Sequence, residues 1–307
     1  MTVDPSVSVV ITNHNYRAFV IEAIESVLSQ QHRPSQVIVV DDGSTDGSAD
    51  FIRQSFPADL VTVIATENRG QLAAFIAGVA AVQCEIVAFL DADDAWEPNY
   101  LTRLADIYRA RPEIDFVFTN MRFFDQRDGV MSGESCSHDF GLSILLGAFH
   151  TQFQGTATSA VSLRAPLARK VLTLPETMVS RWRTRADDCL VVGSDILGGR
   201  KFYLAETLVR YRAHGNNAWL DRKEQGAKAL MHWLRAQSLI EHYRFVAGLS
   251  PAAIRFAKHE FRSKPQPRWL DVRNYSALLS RSDLPFWQRM EHRISMIRHW
   301  LHARRDH

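Results

Sequence analysis

The sequence predicts an α/β protein built on a mainly parallel sheet with helices on both faces. Three observations carry this expectation. Short β-branched runs alternate with segments of helical apolar spacing through the first hundred residues. The strand runs are apolar almost without a break, as strands buried on both faces require. Each run stops at a polar cluster, and ligands of open parallel sheets bind beyond the carboxyl ends of the strands.

The elements follow in order. Val7 to Ile11 reads as a buried strand, ending in the loop Asn13-His14-Asn15. Ala18 to Gln30 carries Val20, Ile21, Ile24, Val27 and Leu28 at helical spacing. Val37 to Val40 is a second strand, stopping at Asp41-Asp42-Gly43-Ser44, and Thr45-Asp46 caps a helix running to about Phe56. Leu60 to Ala65 is a third strand, Asn68-Arg69-Gly70 a turn, and Gln71 to Val82 an Ala-rich helix. Glu85 to Leu90 is the fourth strand and stops at Asp91. Beyond Trp96 the regular alternation ends. A helix is expected over Pro98 to Ala110 and a strand over Phe116 to Asn120. A polar, mobile loop is expected from Gln126 to Asp139, and a helix over 142–149. Thr156 to Leu163 reads as a strand, Ala186 to Leu197 as a helix, Phe202 to Tyr211 as one strand or two, and Arg212 to Asn217 as a polar turn. After Asp221 the chain is helical, broken at Pro251 and at Lys264-Pro265-Gln266-Pro267.

A chain of 307 residues with this pattern divides into a domain over 1–221 and a basic helical extension over 222–307. The first part holds 19 Lys and Arg against 27 Asp and Glu; the second holds 17 against 7. The overall net charge of +2 gives no argument for nucleic acid. Three scattered cysteines, Cys84, Cys136 and Cys189, suit a reducing compartment. The sequence shows neither a signal-peptide pattern nor a membrane-length apolar run. A cytoplasmic protein is expected, with the cytosolic face of a membrane as a candidate location.

Asp91-Ala92-Asp93-Asp94 brings three carboxylates within four residues. Left alone they repel, and a hard divalent cation such as Mn²⁺ or Mg²⁺ relieves that repulsion while leaving positions for substrate phosphates. Alternation in an extended segment would point Asp91 and Asp93 to one side. An isolated motif of this kind is more often a solvated turn that caps a helix. Its place after a buried strand, in line with three other polar strand ends, favours the cation reading. Asp41-Asp42-Gly43-Ser44 offers carboxylates to a base or ribose, and Gly43 lets the backbone pass close to a ligand.

At this point the chain resembles the family 2 glycosyltransferases, inverting enzymes of GT-A fold. The matching pieces are VSVVITNHNY at 7–16, IEAIESVLSQ at 21–30, VIVVDDGSTDGS at 37–48, ENRGQLAAFIAG at 67–78 and EIVAFLDADDAWEP at 85–98. A weaker match runs through Asp187-Asp188 to Tyr211-Arg212-Ala213-His214-Gly215-Asn216-Asn217. The resemblance implies a Rossmann-like nucleotide-sugar half over 1–98 and an acceptor half over 99–221. It assigns Thr12, Asn13 and His14 to base and ribose, with His14 in place of the usual Tyr. Asp42 or Asp41 would accept from the base, while Asn68, Gly70 and Gln71 would lie near base and diphosphate. Asp91, followed by Ala92, belongs to the ribose side, and Asp93 to the metal. Asp94 stays unassigned, and Ile76 stands where Asn is common. Asp187-Asp188 matches the catalytic acidic pair, with Asp188 as general base and Asp187 positioning it. His214 is implied at the diphosphate or the metal; Arg210 and Arg212 are candidates for the phosphates or for a salt-bridged edge.

The implied activity is inverting transfer from a nucleotide-diphosphate sugar, uridine diphosphate by family frequency, to a glycan or lipid-linked acceptor in cell-surface polysaccharide synthesis. A noncatalytic nucleotide-sugar or glycan-binding module is the alternative. A dinucleotide oxidoreductase is disfavoured, because GxGxxG is missing after the first strand. His150 to Thr158 and Trp182 are candidates for the acceptor site, and Trp96 for its rim. In the tail, Phe286, Met290, Ile294, Ile297 and Leu301 form a stripe among Arg289, Arg293, Arg298, Arg304 and Arg305. A basic amphipathic helix over 286–305 is a candidate peripheral membrane contact, against the alternative of a helix packed on the domain.

Overall fold

The computed structural model describes residues 4–150, 152–214 and 226–303. The first half follows the expected alternation. Strand β1 (Val7–Asn13) leads to α1 (Val20–Leu28), β2 (Gln36–Asp42) to α2 (Ser48–Ser55), β3 (Thr62–Thr66) to α3 (Gln71–Ala80), and β4 (Ile86–Asp91) follows. A two-residue strand β5 (Ala95–Trp96) precedes α4 (Tyr100–Ala110). Then come β6 (Phe116–Asp125), β7 (Gly129–Val130), β8 (His138–Gly141) and α5 (Ile144–Phe149). Strand β9 (Val161–Arg164) runs into α6 (Ala165–Val171), α7 (Glu176–Val179), α8 (Asp187–Ile196) and the long β10 (Lys201–Ala213). The tail holds α9 (Ala227–Val246), α10 (Ala257–Arg262), α11 (Trp269–Leu279) and α12 (Phe286–Ala303).

One sheet runs through the molecule in the order β3-β2-β1-β4-β9-β6-β10-β5, with β7 on β6 and β8 on β10. The first four strands are mutually parallel, so their carboxyl ends share one edge. Strand register sets the neighbours on that edge: Thr12 lies beside Asp91, Asn13 beside Asp41, and Asp42 beside Thr66. Strand β9 is antiparallel to both its neighbours and turns the sheet from the nucleotide half to the second half.

Period-two alternation sends the strand side chains to two separate cores. Val9, Ile11, Val39 and Leu90 pack with α1 and α4 on one face. Val10, Val40, Val87 and Phe89 pack with α3, α6 and α8 on the other. Helix α9 belongs to this second core through Leu239, Ile240 and Tyr243, and the Tyr243 hydroxyl donates to the Val171 carbonyl at 2.8 Å. The later helices form a third cluster, in which Phe261, Tyr275, Leu278 and Met296 close on Leu145 and Leu146 of α5.

Several local expectations change. The polar stretch 126–139 contains β7, which pairs with β6, and the backbone N–H of Ser132 donates to the Asn120 side chain at 3.1 Å. Thr156 to Leu163 is not one strand: a 3₁₀ turn at Thr158–Ala160 precedes β9. Residues 201–213 form a single strand, with irregular register between Leu204 and Val209. Asp91-Ala92-Asp93-Asp94 is a turn rather than an extended segment, closed by the Asp94 N–H on the Asp91 carbonyl at 3.1 Å. Trp96 is buried, stacked on Tyr100 at 4.2 Å, and its Nε1–H donates to the Ser159 carbonyl at 2.7 Å. It is core, not rim. Most of the amphipathic stripe on α12 faces away from the protein: Phe286, Met290, Ile294 and Leu301 are exposed, and Ile297 is the stripe residue that packs inward. Met296, with Ile297 and Trp300 beside it, makes the inward contact, while Phe286 and Trp287 are 69% and 65% exposed. Of the tail arginines, Arg304 and Arg305 lie outside the described residues.

Candidate active site

The four strand ends build one wall. Thr12 and Asn13 are buried at the end of β1. The Thr12 hydroxyl donates to Asp91 Oδ1 at 3.2 Å, and the Asn13 amide donates to Asp41 Oδ2 at 2.7 Å. Asp41 also accepts from the Ser44 N–H and hydroxyl, at 2.9 and 2.7 Å. Asp42 accepts from the N–H groups of Arg69 and Gly70, each at 2.8 Å. Both acids therefore hold the loops in place, with lone pairs still open to a ligand, since a carboxylate has about four acceptor sites.

His14 is fixed by its surroundings. Its Nδ1 lies 2.8 Å from the Asp42 carbonyl, so that nitrogen donates. The Nε2 then accepts from the Asn68 amide at 3.0 Å. Asn68 is joined in turn to Arg183, which carries the second half of the molecule onto this loop. Gly43 and Gly70 have positive φ, and a Cβ on either would lie within 2.5 Å of a backbone atom, of Asn68 and Arg183 respectively. Only glycine fits those approaches.

Gln71 links the halves. Its amide donates to Asp91 Oδ1 at 3.0 Å, and its carbonyl accepts from the Ala186 N–H at 3.0 Å. The free N–H groups that open α3 are met by the carbonyls of Arg183 and Trp182. These bonds bring the start of α8, and with it Asp187 and Asp188, to the sheet edge. Asp91, Gln71, Asp187 and Asp188 line one cavity of about 650 Å³. Tyr211, Phe153 and Trp182 face the same space.

The acidic turn divides in a way the spacing left open. Asp93 Oδ2 faces His214 Nε2 at 2.9 Å. Asp94 is buried, bonded by the Ser159 hydroxyl at 2.5 Å and by the Arg212 N–H at 2.9 Å, and so ties the turn to β10. Burial first, and then Asp93 and Asp187, push the Asp91 carboxyl up to about 8. Asp94 is raised well above the carboxylate range by burial and then by Asp93 and Asp91. Tyr16 is raised by burial and by Asp93, to which its hydroxyl is bonded. At the second acidic pair, burial and then Asp188 raise Asp187 to about 7. Asp188 Oδ2 lies 3.5 Å from Arg185 Nη2 and 3.9 Å from His232 Nε2.

The remaining arginines are engaged elsewhere. Arg212 pairs with Glu22 and Asp125 and donates to the Asp93 carbonyl, and Arg210 lies 3.6 Å from Glu22. This is the salt-bridged strand edge. Ile76 packs against the core. In 150–158, Gln152, Phe153 and Gly155 to Thr158 line the cavity, whereas the buried Gln154 gives its carbonyl to Lys201; Thr151 lies outside the described residues, as do Gly215, Asn216 and Asn217. Sequence reading did not single out Tyr16, Ser159, Arg183 or His232. Tyr16 adjoins a motif and was accessible to it; the others are brought in only by folding.

Among the described residues, no group of three His, Cys, Asp or Glu is arranged to hold a metal ion. Asp93 and His214 are a two-residue donor set at most. Among the same residues, no helix is long and apolar enough to cross a membrane.

Comparison with known proteins agrees with this architecture. The family described as Glycosyl transferase family 2 matches residues 8–157. A glycosyltransferase of Nostoc sp. strain PCC 7120 is 36% identical over 219 residues, covering 69% of this chain and 66% of that protein. TuaG of Bacillus subtilis strain 168, named for teichuronic acid biosynthesis, is 30% identical over 168 residues, covering 52% of this chain and 66% of its own. The chain thus spans just under two thirds of the length of both relatives. In fold it is similar to S. aureus TarS 1-349 solved with UDP-GlcNAc, at a TM-score of 0.55 and 17% identity, over 97% of this chain and 81% of that one. With this order of strands, this edge of polar residues and these relatives, the chain belongs to the family 2 glycosyltransferases and has the GT-A fold.

Proposed function

We propose that this protein is an inverting glycosyltransferase that moves a sugar from a nucleotide-diphosphate donor to a glycan or lipid-linked acceptor in cell-surface polysaccharide synthesis. One observation supports it most. Asp91, on the donor side, and Asp187-Asp188, on the far side, open onto the same cavity. Thr12, Asn13, His14, Asp41, Asp42, Asn68, Gly70, Gln71, Asp91 and Ala92 form the donor wall. UDP is the nucleotide proposed, because the similar TarS structures hold UDP-GlcNAc and UDP.

In this reading the acceptor hydroxyl oxygen attacks the anomeric carbon as Asp188 takes its proton. The bond from that carbon to the diphosphate oxygen breaks, and its electron pair leaves with the diphosphate. Attack from the face opposite the leaving group inverts the centre. Asp187, held beside Asp188 at the start of α8, positions the base. Asp93 and His214 fit a Mn²⁺ or Mg²⁺ ion, since such ions use one or two protein ligands and take the rest from phosphates and water. The ion would neutralise the charge that develops on the diphosphate. The exposed stripe of α12 suits peripheral contact with a membrane that presents the acceptor.

The test is nucleoside diphosphate release from a panel of nucleotide-sugars with Mn²⁺ titrated in. Asp93→Ala is expected to abolish the cation dependence and lower turnover at least 100-fold. Asp188→Asn is expected to keep donor binding and lose transfer. Full turnover by Asp93→Ala with saturating donor refutes the metal role, and transfer retained by Asp188→Asn reassigns the base. Donor binding by the wild type with no release or transfer would favour the noncatalytic module.

A further inference from the structure

Helix α9 lies outside the segment 8–157 matched to the family, yet it forms part of the cavity wall through His232, Trp233, Ala236 and Gln237. Its His232 has two distinguishable ring nitrogens. The Nδ1 lies 2.9 Å from Arg235 Nη2. A guanidinium only donates, so Nδ1 is the acceptor and the proton of the neutral ring sits on Nε2. That Nε2–H faces Asp188 Oδ2, 3.9 Å away.

Arg235 is itself held. Its guanidinium stacks over the Trp182 ring at 4.1 Å, and its Nη1 donates to the Arg181 carbonyl at 2.9 Å. The Trp182 ring also meets the His232 ring edge-on at 6.2 Å. Trp182 is anchored in turn, because its carbonyl accepts from the N–H of Leu72 at the start of α3. A fixed chain thus runs from Trp182 through Arg235 and His232 to the carboxylate.

We propose that His232 is a positioning residue for Asp188: its tautomer is set by Arg235, and its Nε2–H orients the carboxylate toward the acceptor hydroxyl. The proposal rests on the reading of Asp188 as general base. At 3.9 Å the pair is looser than a hydrogen bond, and contacts of this type shorten when substrate binds. Charged groups facing the pair among the described residues include Arg185 and Asp187, at the start of α8, and Arg235 on α9. Helix α9, which like α8 lies beyond the matched segment 8–157, would then take part in assembling the catalytic centre, and its packing would govern how well the base is aimed.

The test has two arms, both on the full chain. In the first, ¹⁵N-imidazole NMR identifies the His232 resonances by their loss in His232→Gln. The expected result is an Nε2–H tautomer whose shifts show an acidic titration step that disappears in Asp188→Asn. An Nδ1–H tautomer, or the same titration curve in Asp188→Asn, overturns the proposal whether or not a donor has been found. In the second arm, release of UDP from UDP-GlcNAc, or from whichever nucleotide-sugar the panel selects, is followed against pH. His232→Ala is expected to lower kcat about tenfold with donor KM unchanged. It should also move the acidic limb to higher pH by about one unit, because a lost N–H donor raises the carboxylate pKa. His232→Gln, which keeps an N–H donor, is expected to restore most of both. Unchanged kcat and pH profile in His232→Ala refute the proposal. Loss of transfer with the limb unmoved and no recovery in His232→Gln also refutes it, since that is the signature of packing alone. Retained transfer by Asp188→Asn would sink the general-base reading instead.

Discussion

Asp187→Asn should make the protein more stable and less active at once. The Asp187 carboxyl sits beside Asp188, and burial with that neighbour raises it from 3.8 to about 7. Because the folded pKa lies above the unfolded one, the folded state holds a proton that the unfolded chain releases. The stability this gives is complete below about pH 4 and is lost as pH rises through about 7. Moving a carboxyl over that range corresponds to on the order of 4 kcal/mol. Solvent reaches the half-buried side chain in part, so about 2–4 kcal/mol is the expected loss. Asparagine has the same shape and no charge to desolvate. Urea denaturation of wild type and variant from pH 4 to pH 8 measures the effect. The two curves should meet near pH 4 and separate by about 2–4 kcal/mol at pH 8, with the variant the more stable. Turnover should fall, because Asp188 loses its charged neighbour. Parallel stability curves would refute the reasoning, as would a variant less stable than wild type at pH 8.

Ser159→Ala removes the hydroxyl that donates to buried Asp94 and accepts from the Asp91 N–H; a loss of about 2–4 kcal/mol in denaturant titration is expected, since Asp94 Oδ2 and the Asp91 N–H each lose that partner while Asp94 keeps the Arg212 N–H. Gly70→Ala forces a Cβ to 2.4 Å from the Arg183 Cα at φ +96°, so about 3 kcal/mol of destabilisation is expected, together with weaker nucleotide binding by calorimetry. Replacing Phe286, Trp287 and Ile294 by serine should abolish co-sedimentation with phosphatidylglycerol vesicles and leave the melting temperature within a few degrees, because these side chains are exposed; equal sedimentation by wild type and variant would remove the membrane role of α12.

The parallel half was legible because its signal is local. Buried strands such as Val37 to Val40 must be apolar on both faces, and the polar residues that end them must then fall on one edge. The same reasoning found Asp91 to Asp94 and the helix that begins at Asp187. It did not find β5, β7 or β8, each only two to four residues long, because strands that short take their conformation from a partner. It placed Trp96 at a rim, since nothing in the sequence reveals that its indole meets the Ser159 carbonyl, 63 residues away.

By itself, then, the sequence determined the sheet of the first hundred residues and the residue types at each strand end, because hydrophobic periodicity and the parallel connection leave little choice. Only the tertiary structure decided what each carboxylate faces. Asp93 meets His214, Asp94 is consumed by Ser159 and the β10 backbone, and Asp188 comes under a histidine from a helix beyond the family segment. The physical reason is that a carboxylate's role depends on its desolvation and on its partners, and those partners arrive from distant parts of the chain only when it folds.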